Sequence, residues 1–251
     1  WLRVGFVAGL PAALTALIAL PLVAISPWSH VIGFASLGTL IALFGRFAPR
    51  ASRGRIVLQC LFWQTFSVAA ISTAASLGAP AWLQLMLVSL TCGVFFYAST
   101  TGGFGPPGAL IFVFAASASM GQLNAATMVI ERVTATFVVG LLAWAICLAT
   151  DSLRQGRSTS SEFPAEQVPP FRQRWIMTVR ITIGAGLAAF VAYAVGATYP
   201  GWAAMGAVAV MQGRNLPISM NRALQRMAGT ILGAILIWFI LVQAPSTWVV
   251  I

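Results

Sequence analysis

Arginines recur at helical spacing near the end of the chain, where a polar connector runs into an apolar segment. Arg222, Arg226, Thr230 and Gly233 follow one another at intervals of three or four residues, which predicts that they share one stripe of a helix. A guanidinium at the mouth of a hydrocarbon-spanning helix is costly, and it can hold a carboxylate through charge-assisted hydrogen bonds. The alternative is that Arg222 and Arg226 simply mark the cytoplasmic end of the helix.

Other arginines precede apolar segments earlier in the chain. Arg50 and Arg53 stand just ahead of one apolar run, and Arg180 lies near the start of a later run. We predict that Arg50 and Arg53 act with Arg222 and Arg226 to hold an anionic group, and we include Arg180 among the candidate binding residues. Together these side chains would form a positive surface that concentrates anions.

Two apolar runs are short and open on a proline followed by a tryptophan. Trp28 opens the first after Pro27, Trp202 opens the second after Pro200, and Gln212 closes the second. Short or interrupted helices at matching places in two repeats indicate a transporter site. The tryptophans are therefore either anchors at the membrane interface or aromatic faces on which a substrate ring stacks.

Glu131 is the acidic residue that lies within a predicted span away from its cytoplasmic end, which makes it a candidate for proton coupling. The alternative is that Glu131 sits in an outer loop and faces water. Arg132 adjoins it and is the second candidate for proton coupling, but its side chain points about 100° away on a helix, so the two need not pair. The chain has no Ser/His/Asp set, zinc-ligand spacing or paired carboxylates, so we expect no enzyme, no metal and no cofactor.

Composition places these residues in a membrane protein. Of the 251 residues, 59% are hydrophobic and 7% are charged, whereas a soluble domain carries about 25% charged residues. The net charge of +10 comes from arginines without any lysine. Because these arginines sit in short loops between apolar runs, we expect no binding to nucleic acid. The three cysteines lie inside apolar runs without paired spacing, which excludes a disulfide framework.

The apolar runs predict an all-α protein, a polytopic transmembrane helical bundle with about nine helices. The runs span about residues 4–25, 28–44, 56–77, 81–99, 109–120, 128–150, 175–198, 202–212 and 227–242. The second, fifth and eighth are short or have interrupted ends. A Gly- and Pro-rich stretch, Gly102 to Gly108, separates the fourth run from the fifth, and its free backbone N–H groups could meet an anion.

Arginine distribution predicts the orientation. With a cytoplasmic N-terminus, the arginine-bearing loops after runs two, six and eight face the cytoplasm, and the other loops carry no arginine. Thirteen of the fourteen basic residues then lie on one side, and Arg132 is the exception. We therefore predict a multi-pass protein of a bacterial inner membrane with its N-terminus inside.

An internal repeat accompanies this topology. The order of arginine, apolar run, Pro-Trp or Pro-x-Trp, second run and paired arginines occurs near the start of the chain and again after Arg180. Six crossings separate the copies, so we predict two parallel six-helix repeats, the second of which is truncated. The predicted divisions are 1–150 for the first membrane repeat, 151–174 for a cytoplasmic polar linker and 175–251 for the start of the second repeat, so we expect the sequence to be a fragment.

The second copy resembles a known family. A Pro-x-Trp-Ala segment, an apolar run, Met-Gln, a polar connector, Arg-x-x-x-Arg and Gly-Thr-x-x-Gly occur in the order typical of the fusaric acid resistance family of aromatic acid exporters. The aluminium-activated malate transporters of plants are similar at a greater distance. The residues that carry the resemblance are Pro200, Trp202, Ala203, Met211, Gln212, Arg222, Arg226, Gly229, Thr230 and Gly233.

The resemblance implies two membrane halves, proton-motive energy and a periplasmic adaptor protein as a candidate partner. It also implies that an arginine near the start of the sixth helix, here Arg132, is usual in the family. Together with the arginine pattern, it predicts an exporter of small organic anions, with aromatic carboxylic acids as substrates. The alternatives are a passive organic-anion channel formed by a homodimer and a non-transport membrane scaffold, and in every case the lipid bilayer is a partner.

Overall fold

The chain is helical throughout the part that the structure describes. The computed structural model describes residues 2–45, 48–151, 168–212 and 216–242, and it contains α-helices and short 3₁₀ segments without strands in these ranges. The α-helices are α1 Leu2–Ile25, α2 Ile32–Thr39, α3 Arg50–Ser76, α4 Ala81–Thr101, α5 Leu110–Ala118, α6 Ala126–Thr150, α7 Phe171–Ala194, α8 Gly201–Met211 and α9 Leu216–Val242. The predicted all-α bundle of about nine helices is confirmed.

Four of these helices are long and apolar enough to cross a bilayer. They are α3 over Ala51–Ser76, α4, α6 and α7, each of 21 to 26 residues. Since about twenty apolar residues span the hydrocarbon, the prediction of a multi-pass membrane protein is confirmed. The helices α2, α5 and α8 are only 8, 9 and 11 residues long, as the interrupted runs predicted.

Proline and glycine account for these short helices. Pro27 and Pro200 precede α2 and α8, and the Gly- and Pro-rich stretch precedes α5. In that stretch Gly103, Gly105 and Gly108 have φ angles of +61°, +69° and +67°, a conformation that side-chain-bearing residues rarely adopt. The backbone therefore leaves the helical path where the apolar pattern weakens.

The helices form one contiguous bundle. α6 packs between α2 and α3, α3 packs on α5, and α4 packs along α7. α8 lies between α5 and α7, and α9 packs against α8. The helices of the predicted second repeat, α7 and α8, therefore rest on α4 and α5 of the first. The division into repeats and linker stays a prediction.

Contacts between helix ends define two faces of the bundle. At one end Arg53 at the start of α3 meets Asp151 after α6, and Arg174 at the start of α7 meets Thr101 at the end of α4. We call this end the arginine face. At the other end, the opposite face, Glu131 near the start of α6 meets the segment that leads into α2. The assignment of the arginine face to the cytoplasm stays a prediction.

Close packing between α2 and α6 depends on glycine. A Cβ atom at Gly38 would lie 2.8 Å from the carbonyl oxygen of Thr136 and 2.9 Å from Cβ of Val139. The hydroxyl of Thr136 donates to the carbonyl oxygen of Phe34 over 3.2 Å, which fixes the same contact. The two backbones approach as small residues allow in membrane proteins.

Candidate functional site

Helices α5 and α8 run antiparallel in the middle of the bundle and meet at both faces. Towards the opposite face, the hydroxyl of Ser117 donates to the carbonyl oxygen of Gly201 over 3.1 Å. At the arginine face, a Cβ atom at Gly108 would lie 3.2 Å from Oε1 of Gln212. The glycine-rich loop before α5 and the end of α8 are therefore neighbours, and we call this place the α5–α8 junction.

Gln212 at this junction presents a buried donor. Its Nε2 atom is shielded from solvent and has no hydrogen-bond partner among the described residues. A buried donor without an acceptor costs about 1–3 kcal/mol, so Nε2 of Gln212 is able to donate to a hydrogen-bond acceptor that comes within reach. Gln212 is among the candidate binding residues, and its part in binding stays a prediction.

The candidate arginines of α9 come after Gln212 in the chain. α9 begins at Leu216, shortly after Gln212, and carries Arg222, Arg226 and Thr230 on its first half. Thr230 is exposed. The side chains of Arg222, Arg226 and Arg50 lie outside the described part of the structure, so their predicted contacts with a carboxylate stay predictions.

Arg53 is occupied by a carboxylate of the protein itself. Its side chain is 2% exposed and forms an ion pair with Asp151. Nη1 also donates to the carbonyl oxygen of Cys147 over 3.3 Å. A substrate could reach this guanidinium only if Asp151 left, so the arrangement gives Arg53 a structural role between α3 and α6. Its predicted part in substrate binding remains a prediction.

Two arginines of α7 differ in their surroundings. Arg180, a candidate binding residue, is exposed. Arg174 was not a candidate binding residue, but contacts with α4 hold its side chain in place. Nη1 of Arg174 donates to the hydroxyl of Thr101 over 2.7 Å, and the guanidinium lies 5.3 Å from the centre of the Tyr97 ring. Its Nε atom is buried without a partner among the described residues. The sequence interpretation placed Arg174 in the linker, but α7 begins at Phe171 because the residues after Pro170 join its first turn.

The two candidate tryptophans are exposed at the opposite face. Trp28 is 59% and Trp202 53% exposed. The ring of Trp202 meets the ring of Phe114 edge to face, with centroids 5.7 Å apart. This exposure fits an anchor at the membrane interface, and stacking on an aromatic substrate stays a prediction.

Glu131 has a partner that the sequence interpretation missed. Its Oε2 atom lies 2.8 Å from Nε2 of His30, and both side chains are partly exposed. The two meet because α2 and α6 run parallel and begin at the same face, which the predicted topology could have suggested. Arg132 points elsewhere, as predicted: Nη1 donates to the carbonyl oxygen of Ser119 over 3.3 Å, and the guanidinium lies 4.6 Å from the Phe34 ring centre.

Comparison with known proteins now adds a finding. Residues 187–251 match the family described as fusaric acid resistance protein-like. No curated protein and no solved structure matches the chain. The matched range contains every residue that carried the resemblance, from Pro200 to Gly233, so it supports the suspected family.

The fusaric acid resistance-like region has a definite place in the bundle. It covers the end of α7, all of α8 and α9, and hence Gln212 and the arginines that follow it. This match and the apolar helices together suggest a membrane transporter. Among the described residues there is no group of three His, Cys, Asp or Glu side chains that could hold a metal ion.

Proposed function

We propose that the chain belongs to an inner-membrane transporter that exports small organic anions, with aromatic carboxylic acids as substrates and the proton gradient as the driving force. One observation carries the proposal. The fusaric acid resistance-like region contains a buried amide nitrogen, Nε2 of Gln212, that has no acceptor among the described residues and precedes the arginines of α9 in the chain. A carboxylate is an acceptor of matching charge and geometry.

Recognition begins at the arginine face. The positive charges there raise the local concentration of anions, an effect worth about 10- to 1000-fold in encounter rate. Gln212 then donates to one carboxylate oxygen, and Arg222 and Arg226 donate to the other. The glycines of the neighbouring loop let the backbone come close, because a side chain at Gly108 would press on the Gln212 amide.

Proton coupling takes place at the opposite face. Glu131 exchanges a proton with water and with His30, whose ring nitrogen lies 2.8 Å away. Because α6 packs on α2 and α3, a change in the charge of Glu131 acts on the helices that surround α5. The proton enters the cell as the anion leaves it. Throughout this exchange Arg132 holds the start of α6 against the carbonyl oxygen of Ser119.

A susceptibility screen tests this function. Cells with and without the protein are exposed to a panel of aromatic and aliphatic carboxylic acids, with and without an uncoupler. The expected result is that the protein raises tolerance to aromatic acids and that the uncoupler removes the effect. Arg226→Ala should abolish the tolerance, while the control Arg172→Ala, at an exposed arginine of α7, should keep it.

Each of the other outcomes indicates a different function for the protein. Tolerance that survives the uncoupler indicates a passive channel and contradicts proton-driven export. No change with any acid, despite insertion of the protein in the membrane, contradicts transport altogether and favours a scaffold. Full tolerance in Arg226→Ala removes the α9 arginines from the site.

A further inference from the structure

A groove between α3, α4 and α7 reaches the start of the glycine-rich stretch at Gly102 and Phe104. Its volume is about 710 Å³, within the usual size range for sites that bind small molecules. Apolar and aromatic side chains form most of its wall, with Trp63 from α3, Tyr97 from α4 and Trp175 from α7. Gly108 and Gln212, which meet at the α5–α8 junction, are not among the residues that line it.

The groove opens sideways. Leu90 and Val94 of α4 and Val179 and Ile183 of α7 line it, and each of these side chains is at least 41% exposed. α4 and α7 are both long enough to cross a bilayer, so this opening faces hydrocarbon. An occupant must therefore have an apolar body that can enter from the lipid.

The groove has the length of one leaflet. Along α4 its wall runs from Thr101 at the arginine face to Leu90, eleven residues or about 16 Å away at the rise of an α-helix. Half of a hydrocarbon core of about 30 Å is about 15 Å. The groove thus extends from one membrane interface to the midplane.

A cation lies beside the interfacial end of the groove, in contact with two of the residues that line it. Arg174 binds Thr101 and lies over the ring of Tyr97, and both of these residues line the groove. Its buried Nε atom has no partner among the described residues and can still donate. A phosphate oxygen is a suitable acceptor, and Tyr and Trp side chains commonly sit at headgroup level.

We propose that this groove binds an anionic phospholipid of the leaflet at the arginine face. The phosphate accepts hydrogen bonds from Arg174, and one acyl chain lies between Trp63 and the exposed side chains of α4 and α7. A small carboxylate could meet the arginine, but it could not fill a groove that is a leaflet long and open to hydrocarbon. The lipid ties the start of α7 to α4, and its binding does not depend on the proposed transport function.

Thermal unfolding of the purified full chain in a neutral detergent tests the site. The additives are phosphatidylglycerol, phosphatidylcholine and inorganic phosphate. Phosphatidylglycerol should raise the unfolding midpoint more than phosphatidylcholine does, and phosphate alone should have no effect. In Arg174→Gln the preference for phosphatidylglycerol should fall about 10-fold in affinity, while the control Arg172→Gln keeps it.

A second pair of variants tests the groove without changing Arg174. Val179→Trp fills the groove without changing charge, and Ile176→Trp adds the same bulk on α7 at an exposed position that does not line the groove. The first should lose the stabilisation by phosphatidylglycerol, and the second should retain it. Three results would each overturn the proposal. The two lipids could have equal effects on the wild type, both members of either pair of variants could lose the stabilisation equally, or phosphate alone could stabilise the protein fully.

Discussion

Arg53 and Asp151 form a buried ion pair inside the bundle. Their side chains are 2% and 6% exposed. Breaking a buried ion pair by removing one partner typically costs about 3–5 kcal/mol, whereas replacing both partners by apolar residues of similar size is often nearly neutral. The pair therefore locks α3 to α6 at the arginine face.

Single and double variants should separate the cost of removing one partner from the cost of replacing the whole ion pair. We expect Arg53→Met and Asp151→Leu each to lower the free energy of unfolding in detergent by about 3 kcal/mol, and the double variant to recover most of the loss. Arg55→Gln, at an exposed arginine on the same helix, is the matched control and should be neutral. Neutral single variants would show that the ion pair does not form.

Glu131 and His30 also form a pair, but unlike Arg53 and Asp151 both of their side chains are partly exposed to solvent. Exposed ion pairs contribute about 0–1 kcal/mol, so Glu131→Gln and His30→Asn should both leave the fold intact. If Glu131 carries protons, Glu131→Gln should abolish proton-driven export of an aromatic acid while His30→Asn keeps most of it. Equal loss in the two variants would mean that only the pairing matters.

At the scale of the helix, the contact between α2 and α6 leaves no room for a side chain at Gly38. Gly38→Ala should destabilise the protein by about 1–3 kcal/mol, because the added Cβ meets backbone and Cβ atoms that cannot move aside. Gly33→Ala on the same helix is the control, since nothing lies within 4 Å of a Cβ there. Comparison of the two unfolding midpoints checks the packing, and equal midpoints would contradict it.

Sequence reasoning predicted the helices well and their partners poorly. Apolar run length and Pro/Gly breaks suffice to place helices such as α4 and α6, because lipid requires each spanning backbone to satisfy its own hydrogen bonds. Helical period shows which residues share a face but not which helix that face meets. The pairs His30–Glu131 and Arg53–Asp151 were missed for that reason.

The boundary of α7 shows a second limit. Apolar pattern alone predicts a start at about residue 175, but the helix begins at Phe171. Polar side chains join the first turn at little cost where the membrane meets water, so hydropathy does not detect that turn. Arg174 was consequently assigned to a linker although it anchors α7 to α4.

For the whole molecule, the segregation of arginine predicts which face meets the cytoplasm. In intact cells a membrane-impermeant maleimide should label Asn124→Cys, at the opposite face, and should not label Gln173→Cys, at the arginine face. Both positions are exposed, and the native residues Cys60, Cys92 and Cys147 are buried, so background labelling should be low. The reverse pattern would invert the predicted topology.

Efflux of a radiolabelled aromatic carboxylate from vesicles that contain the protein tests the central claim most directly, with a proton gradient imposed across the membrane. The account predicts gradient-dependent efflux in the wild type and in the control Arg172→Gln. It predicts a loss of about 10- to 100-fold in Gln212→Met and in Arg226→Gln, since each removes one hydrogen bond to the carboxylate. Wild-type rates in both of these variants would contradict a carboxylate site formed by the α5–α8 junction and α9.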